Sequence, residues 1–156
     1  MQITWVWQPF DTLAPEDLHD ILRLRQDVFI LEQRSLYADI DGRDRDAWHL
    51  LGRSNEGRLA AYLRVFPAID PAAGTTMGRF VVARWARGNG LAREMMARCL
   101  HWVADHTPAA PIRISAQRYL EGFYGDFGFT VIGRPYDDAG VLHVDMIRGA
   151  SGGDSA

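Results

Sequence analysis

Gly78-Arg79-Phe80-Val81-Val82, then Ala83 to Ala86, then Arg87-Gly88-Asn89-Gly90-Leu91-Ala92 is the stretch on which the reading of this chain turns. An apolar strand ends, a turn with two glycines comes next, and an amphipathic helix begins. Such a turn aims several backbone N–H groups at one point, and a helix N-terminus adds partial positive charge there. Gly88 and Gly90 permit left-handed backbone and close approach to an anion. Arg84, Arg87 and Arg93 surround the turn with guanidinium forks suited to phosphate. The residues therefore point to a pyrophosphate cradle, while two glycines alone would favour an ordinary helix start. There is no Gly-Lys-Ser/Thr, which excludes a P-loop. Arg93 stands where the dinucleotide fingerprint needs its third glycine, and no acidic residue ends the next strand at Ser115.

Outward from the turn, the helix continues through Met95, Met96, Cys99, Leu100 and Val103 at helical spacing and stops at Thr107-Pro108. Upstream, His49 to Arg53 and Leu59 to Phe66 are apolar runs joined by Ser54-Asn55-Glu56-Gly57-Arg58, which predicts a hairpin. Ile3 to Gln8 reads as a first strand. Pro15, with Glu16 and Asp17 after it, opens a helix that runs through Leu18, Ile21, Leu22, Arg25 and Val28. Tyr37 to Asp46 is acidic and reads as a loop or broken helix. Downstream, strands are expected at Ile112 to Ala116, Thr130 to Arg134 and Val141 to Arg148, with a short helix over Tyr119 to Phe127. The order predicts a mixed α/β layer fold in one domain over residues 1–149. The small polar residues at 150–156 predict a disordered tail.

With these elements placed, Arg87-Gly88-Asn89-Gly90-Leu91-Ala92 resembles the acetyl-CoA motif of the GNAT superfamily, Arg/Gln-x-x-Gly-x-Gly/Ala. Phe123-Tyr124-Gly125-Asp126-Phe127-Gly128-Phe129 resembles its second signature. A narrower likeness is to ElaA-like proteins. It rests on Leu24 to Gln33, on Tyr37, Asp39, Asp41 and Asp44, on His49-Leu50-Leu51-Gly52, and on Gly140-Val141-Leu142-His143. The resemblance implies the acyl-CoA N-acyltransferase fold, a mostly antiparallel central sheet with helices on both faces. It implies acetyl transfer from the co-substrate acetyl-CoA to a primary amine, by direct attack in a ternary complex. Amides of the turn from Arg87 through Gly88, Asn89, Gly90 and Leu91 to Ala92 would hold the pyrophosphate. Phe80, Val81 and Val82 would border the pantetheine arm, and a backbone N–H near Val82 would hold the oxyanion. Gln117 stands where many family members have a pantetheine-binding Asn. Tyr124 would lie beside the sulfur and protonate the departing thiolate.

The acceptor side is less defined. Glu32, Asp39, Asp41 and Asp44 could together attract an ammonium, although a solvated acidic loop explains any single one of them better. An alkyl ammonium with a pKa of about 10.4 needs a base, for which Glu32, His49 and His143 are the candidates. A hydrogen-bonded structural role suits either histidine equally. Cys99, in an apolar helix stripe, belongs to the core.

Composition excludes several classes. A net charge of −3 with basic residues spread along the chain speaks against nucleic acid. No apolar run approaches the about 20 residues of a membrane span, and no signal peptide is read at Met1 to Phe10. A lone cysteine fits a reducing, cytoplasmic setting. The His and Cys show no metal-ligand spacing. The acceptor, a small-molecule or peptide amine, stays unnamed, and a homodimer stays open. Two rivals remain. Arg25-x-x-x-Phe29 with Asp39-Ile40-Asp41 faintly resembles acyl-homoserine-lactone synthases, and a non-catalytic acetyl-CoA sensor would keep the same cradle.

Overall fold

A computed structural model describes residues 1–151. Strand β1 (Ile3–Pro9) leads into helix α1 (Pro15–Arg25), which widens without a break into a π-helical segment, Gln26–Glu32. An irregular stretch then leads to β2 (Trp48–Ser54), β3 (Leu59–Phe66) and β4 (Thr75–Val82). Helix α2 (Leu91–His106), β5 (Ile112–Gln117), the short helix α3 (Glu121–Gly125), β6 (Thr130–Asp138) and β7 (Val141–Arg148) complete the chain. The tail expected over 150–156 falls, from residue 152 onward, outside the described residues.

The strands form one seven-stranded sheet in the order β1-β2-β3-β4-β5-β7-β6. Every neighbouring pair is antiparallel except β4 and β5. Alternation along the central strands supplies two cores, one on each face. Leu50, Ala61, Leu63 and Val65 pack with Met95, Met96, Cys99 and Val103 of α2. Leu51, Ala60 and Tyr62 pack with Ile21, Leu24, Val28 and Phe29 of the first helix. A strand buried on both faces reads as continuous apolar sequence, which is why Leu59–Phe66 shows so little polar alternation.

Two departures from regular geometry place the site. β4 and β5 pair in parallel only at Thr75 with Ile112 and Thr76 with Arg113, and beyond that they separate. On its other side β4 bulges, because Tyr62 pairs Val81 but Arg64 pairs Gly78. The bulge holds Arg79 at φ 51°, a left-handed conformation unusual for a residue with a side chain. At the sheet's far edge, β6 carries a further irregularity between Ile132 and Tyr136, with Gly133 at φ 81° and Pro135 inside it.

Gly52 is required by packing. It pairs Trp5 across β1 and β2, and a Cβ there would lie 2.7 Å from the indole ring. That ring cannot swing away freely, because its Nε1 donates to Glu94 at 2.8 Å. Gly52→Ala is expected to cost about 1–3 kcal/mol by overpacking, read as a lower urea midpoint at unchanged slope.

Candidate active site

Where β4 and β5 part, a cleft of ≈ 850 Å³ opens between them. Phe80, Val81 and Val82 form one wall, Ile114, Ser115 and Gln117 the other, and the turn before α2 closes one end. The backbone groups of Gly78 to Val82 on the β5 side have no strand partner there. At the turn, the first intrahelical bond of α2 runs from Glu94 N–H to Gly90 O at 3.1 Å. The amides of Leu91, Ala92 and Arg93 therefore lack intrahelical acceptors, as the first turn of any helix does. Gly88 and Gly90 stand at φ 81° and 74°, with open space where a Cβ would be. The local requirement is thus conformational, and the space above the turn is free for a ligand.

Of the residues that the sequence singles out, Glu32, Phe80, Val81, Val82, Arg87, Gly88, Gly90, Leu91, Ala92, Gln117, Tyr124 and His143 all line this one cleft. Asn89 does not line it. Its amide braces the turn from within, donating to Ala86 O at 3.0 Å and Arg87 O at 3.2 Å.

Tyr124 sits at the floor, 6% exposed, with its ring edge-on to Phe80, Phe123 and Phe129. Burial pushes its phenol well above the ordinary value, so it stays protonated near neutral pH. His143 also lines the cleft, and its Nδ1 lies 2.8 Å from Val141 O. A carbonyl only accepts, so Nδ1 carries the proton and a neutral ring keeps its lone pair on Nε2. Gln117 reaches across the cleft and donates to Gln33 Oε1 at 2.9 Å. Ser35 donates to Ala139 O at 2.9 Å, tying the β6–β7 turn to the same segment. Ser35 lies outside every quoted motif and Gln33 only ends the ElaA-like stretch; both follow the π-helical exit of the first helix.

The acidic residues are placed otherwise than expected. Glu32 forms a two-point pair with Arg87, at 2.7 and 3.1 Å. The Arg87 guanidinium holds its carboxyl below the usual carboxylate range, which makes it a poor proton acceptor. Asp39, Asp41 and Asp44 are neither a solvated loop nor free carboxylates, because three arginines take them up. Arg25, fully buried, contacts Asp39 at 2.9 Å and Asp44 at 2.8 Å. Arg64 reaches Asp41 at 2.7 Å and Asp44 at 2.8 Å. Arg79 Nε lies 2.9 Å from Asp39 Oδ1, though off the hydrogen-bond direction, and its Nη2 donates to Asp39 O at 3.1 Å. Tyr37 adds a bond to Asp39 at 2.8 Å. The network folds the acidic segment onto the sheet and clamps the β4 bulge. His49 belongs to it as well. It is fully buried, with Nδ1 accepting from Tyr62 at 2.6 Å and Nε2 donating to Asp44 O at 2.9 Å. Burial lowers its pKa, so it is a neutral structural residue and no candidate base. Cys99 packs in the core with its thiol pushed up to about 12 by burial.

Residues 21–148 match a family model described as an acetyltransferase (GNAT) domain. Protein ElaA of Escherichia coli is 34% identical over 94% of this chain and 96% of its own. Its crystal structure superposes with a TM-score of 0.88, covering 94% of this chain and 99% of that one. The protein sll0451 of Synechocystis is 42% identical over 94% of this chain and 96% of its own. A solved acyl-CoA N-acyltransferase from Pseudomonas aeruginosa, 32% identical, gives a TM-score of 0.87 over 95% of this chain and 100% of that one.

Arg25→Met should destabilise the fold by about 3–5 kcal/mol, because it strips charge partners from two buried carboxylates. The loss should depend on pH. The Asp44 carboxyl is held below its ordinary value by Arg25 and Arg64 against the opposing effect of burial. A depressed carboxylate pKa contributes stability above the unfolded-state value of about 3.9, and that stability disappears as pH falls through the folded value. Urea midpoints of wild type and variant should therefore differ most near neutrality and converge in acid.

Proposed function

Because this chain belongs to the GNAT acetyltransferase family, we propose that it transfers an acetyl group from acetyl-CoA to a primary amine by direct attack in a ternary complex. The observation that carries the donor half is the parted pair β4 and β5, which leads straight to the unpaired amides before α2. A thioester arm laid along Phe80 to Val82 would satisfy strand groups that β5 leaves open, and the pyrophosphate would meet the amides of the turn.

Each step of the transfer then has a group to carry it. The backbone at Val82 holds the developing oxyanion. His143, its Nδ1 proton engaged by Val141 O, offers Nε2 to take the proton lost by the attacking amine, directly or through a water. Tyr124 donates its hydroxyl proton toward the departing sulfur. Burial keeps that proton in place but also weakens the phenol as an acid, so its contribution belongs at the lower end for general acid catalysis. The acceptor enters on the side walled by Gln33, Ser35, Asp138 and His143. With Asp39, Asp41 and Asp44 neutralised by arginine, that mouth does not carry the strongly negative field that the sequence suggests. An acyl-CoA donor and a single buried thiol both fit a cytoplasmic setting.

Solved acyl-homoserine-lactone synthases superpose on this chain at 15–20% identity, so the first rival shares the fold and nothing finer. Arg25, Asp39 and Asp41, which carry the likeness to acyl-homoserine-lactone synthases, are used up in the charge network. A non-catalytic sensor has no need of a phenol at the floor of the cleft. Binding of acetyl-CoA without adenosylmethionine, combined with thiol release in the presence of a panel of amines, separates all three.

Acetyl-CoA should raise the melting temperature of the wild-type protein, since it binds the native cradle and not the unfolded chain. Gly90→Val should abolish that shift, because valine at φ 74° is strained and its side chain enters the space above the turn. An undiminished shift in a folded variant would place the donor elsewhere. Tyr124→Phe should slow single-turnover transfer by about 10²-fold with acetyl-CoA affinity little changed. A wild-type single-turnover rate in this variant would leave Tyr124 as packing only.

A further inference from the structure

The Arg87 guanidinium is the one cationic side chain inside the proposed cradle motif, and it is already engaged. Its Nη1 and Nη2 donate to the two carboxylate oxygens of Glu32 at 2.7 and 3.1 Å. Its Nε donates to Val82 O at 3.2 Å. The pair thus occupies two things that a CoA thioester would use: Glu32 takes the guanidinium fork, and Arg87 takes the last carbonyl of β4. A carboxylate presents two oxygens to that fork much as a phosphate does. We infer that Glu32 is an internal competitor for the donor's pyrophosphate, holding Arg87 across the cradle until a ligand with enough charge displaces it. This inference rests on the donor site proposed above.

The competition is balanced by what lies beside Arg87. A pyrophosphate gains both the freed fork and the amides of Leu91 to Arg93, whereas Glu32 offers the fork alone. An anion that meets only Arg87 gains no more than Glu32 already supplies, so it displaces Glu32 less readily. Glu32 is therefore a specificity-determining residue for the donor. It favours ligands that reach the fork and the amides together, as a diphosphate does, over a single phosphate. The pair is partly open to water, with Arg87 41% and Glu32 33% exposed, so ligand can reach it and the exchange is modest in energy. Glu32 also ends the π-helical segment, and the next residue, Gln33, spans the cleft to Gln117.

The test is calorimetric titration of acetyl-CoA, inorganic pyrophosphate and inorganic phosphate into wild type, Glu32→Gln, Arg87→Gln and the double variant. Glu32→Gln should bind acetyl-CoA about twofold to fivefold more tightly, the range for an ion pair of this exposure. Its affinity for inorganic pyrophosphate and phosphate should rise as well. In the Arg87→Gln background the same change should alter none of these affinities. Unchanged or weaker acetyl-CoA binding by Glu32→Gln would overturn the inference and make Glu32 a support for Arg87. Equal tightening without Arg87 would overturn it in favour of bulk charge. A wild-type protein that binds pyrophosphate but not acetyl-CoA would overturn the donor assignment together with it.

Discussion

Two parallel strands that pair for two residues and then part impose most of the remaining architecture of this molecule. A sheet cannot leave a row of backbone donors and acceptors half-buried without some answer to them. The aromatic floor of Phe80, Phe123, Tyr124 and Phe129 fills one side of the gap, and α2 begins at its end with amides that lack intrahelical acceptors. The cleft is therefore a property of the topology. It would exist with many different side chains lining it, and those side chains decide only what is held there and what reacts.

Keeping the strands apart requires holding β4 in a shape that it would not choose. Arg79 in a left-handed conformation costs on the order of 1–3 kcal/mol and persists only where its surroundings over-determine it. Here Asp39 and Asp41 hold its side chain, while Arg25 and Arg64 hold those aspartates. Charges that look in sequence like a lure for a cationic substrate act instead as a buckle on the strand. Buried ion pairs are weak evidence for net stability, but they fix geometry well, and geometry is what this strand lacks by itself.

Much of this was legible in one dimension. The glycine turn, the α2 stripe, the β2–β3 hairpin and the aromatic signature at Phe123-Tyr124 are local patterns, and a local pattern needs only neighbouring residues to declare itself. The first helix was legible as a helix but not as one that widens after Arg25, because nothing in Gln26 to Glu32 departs from helical spacing. The pairing of Asp39, Asp41 and Asp44 was hidden for a different reason. Their partners lie up to 40 residues away in sequence, and an acidic loop looks the same whether it meets water or arginine. Glu32 shows the same effect, because its partner, Arg87, lies 55 residues downstream.

Strand β6 is exposed along its whole length and ends the sheet, yet it is not a free template for another chain. The left-handed Gly133 and the missing N–H of Pro135 interrupt its ladder between Ile132 and Tyr136. A second sheet could not be zipped onto this border without first straightening that interruption. The consequence lies in behaviour at high concentration. The protein carries apolar residues such as Val131 and Ile132 on an outer strand, and the kink beside them guards against fibrillar growth from that side.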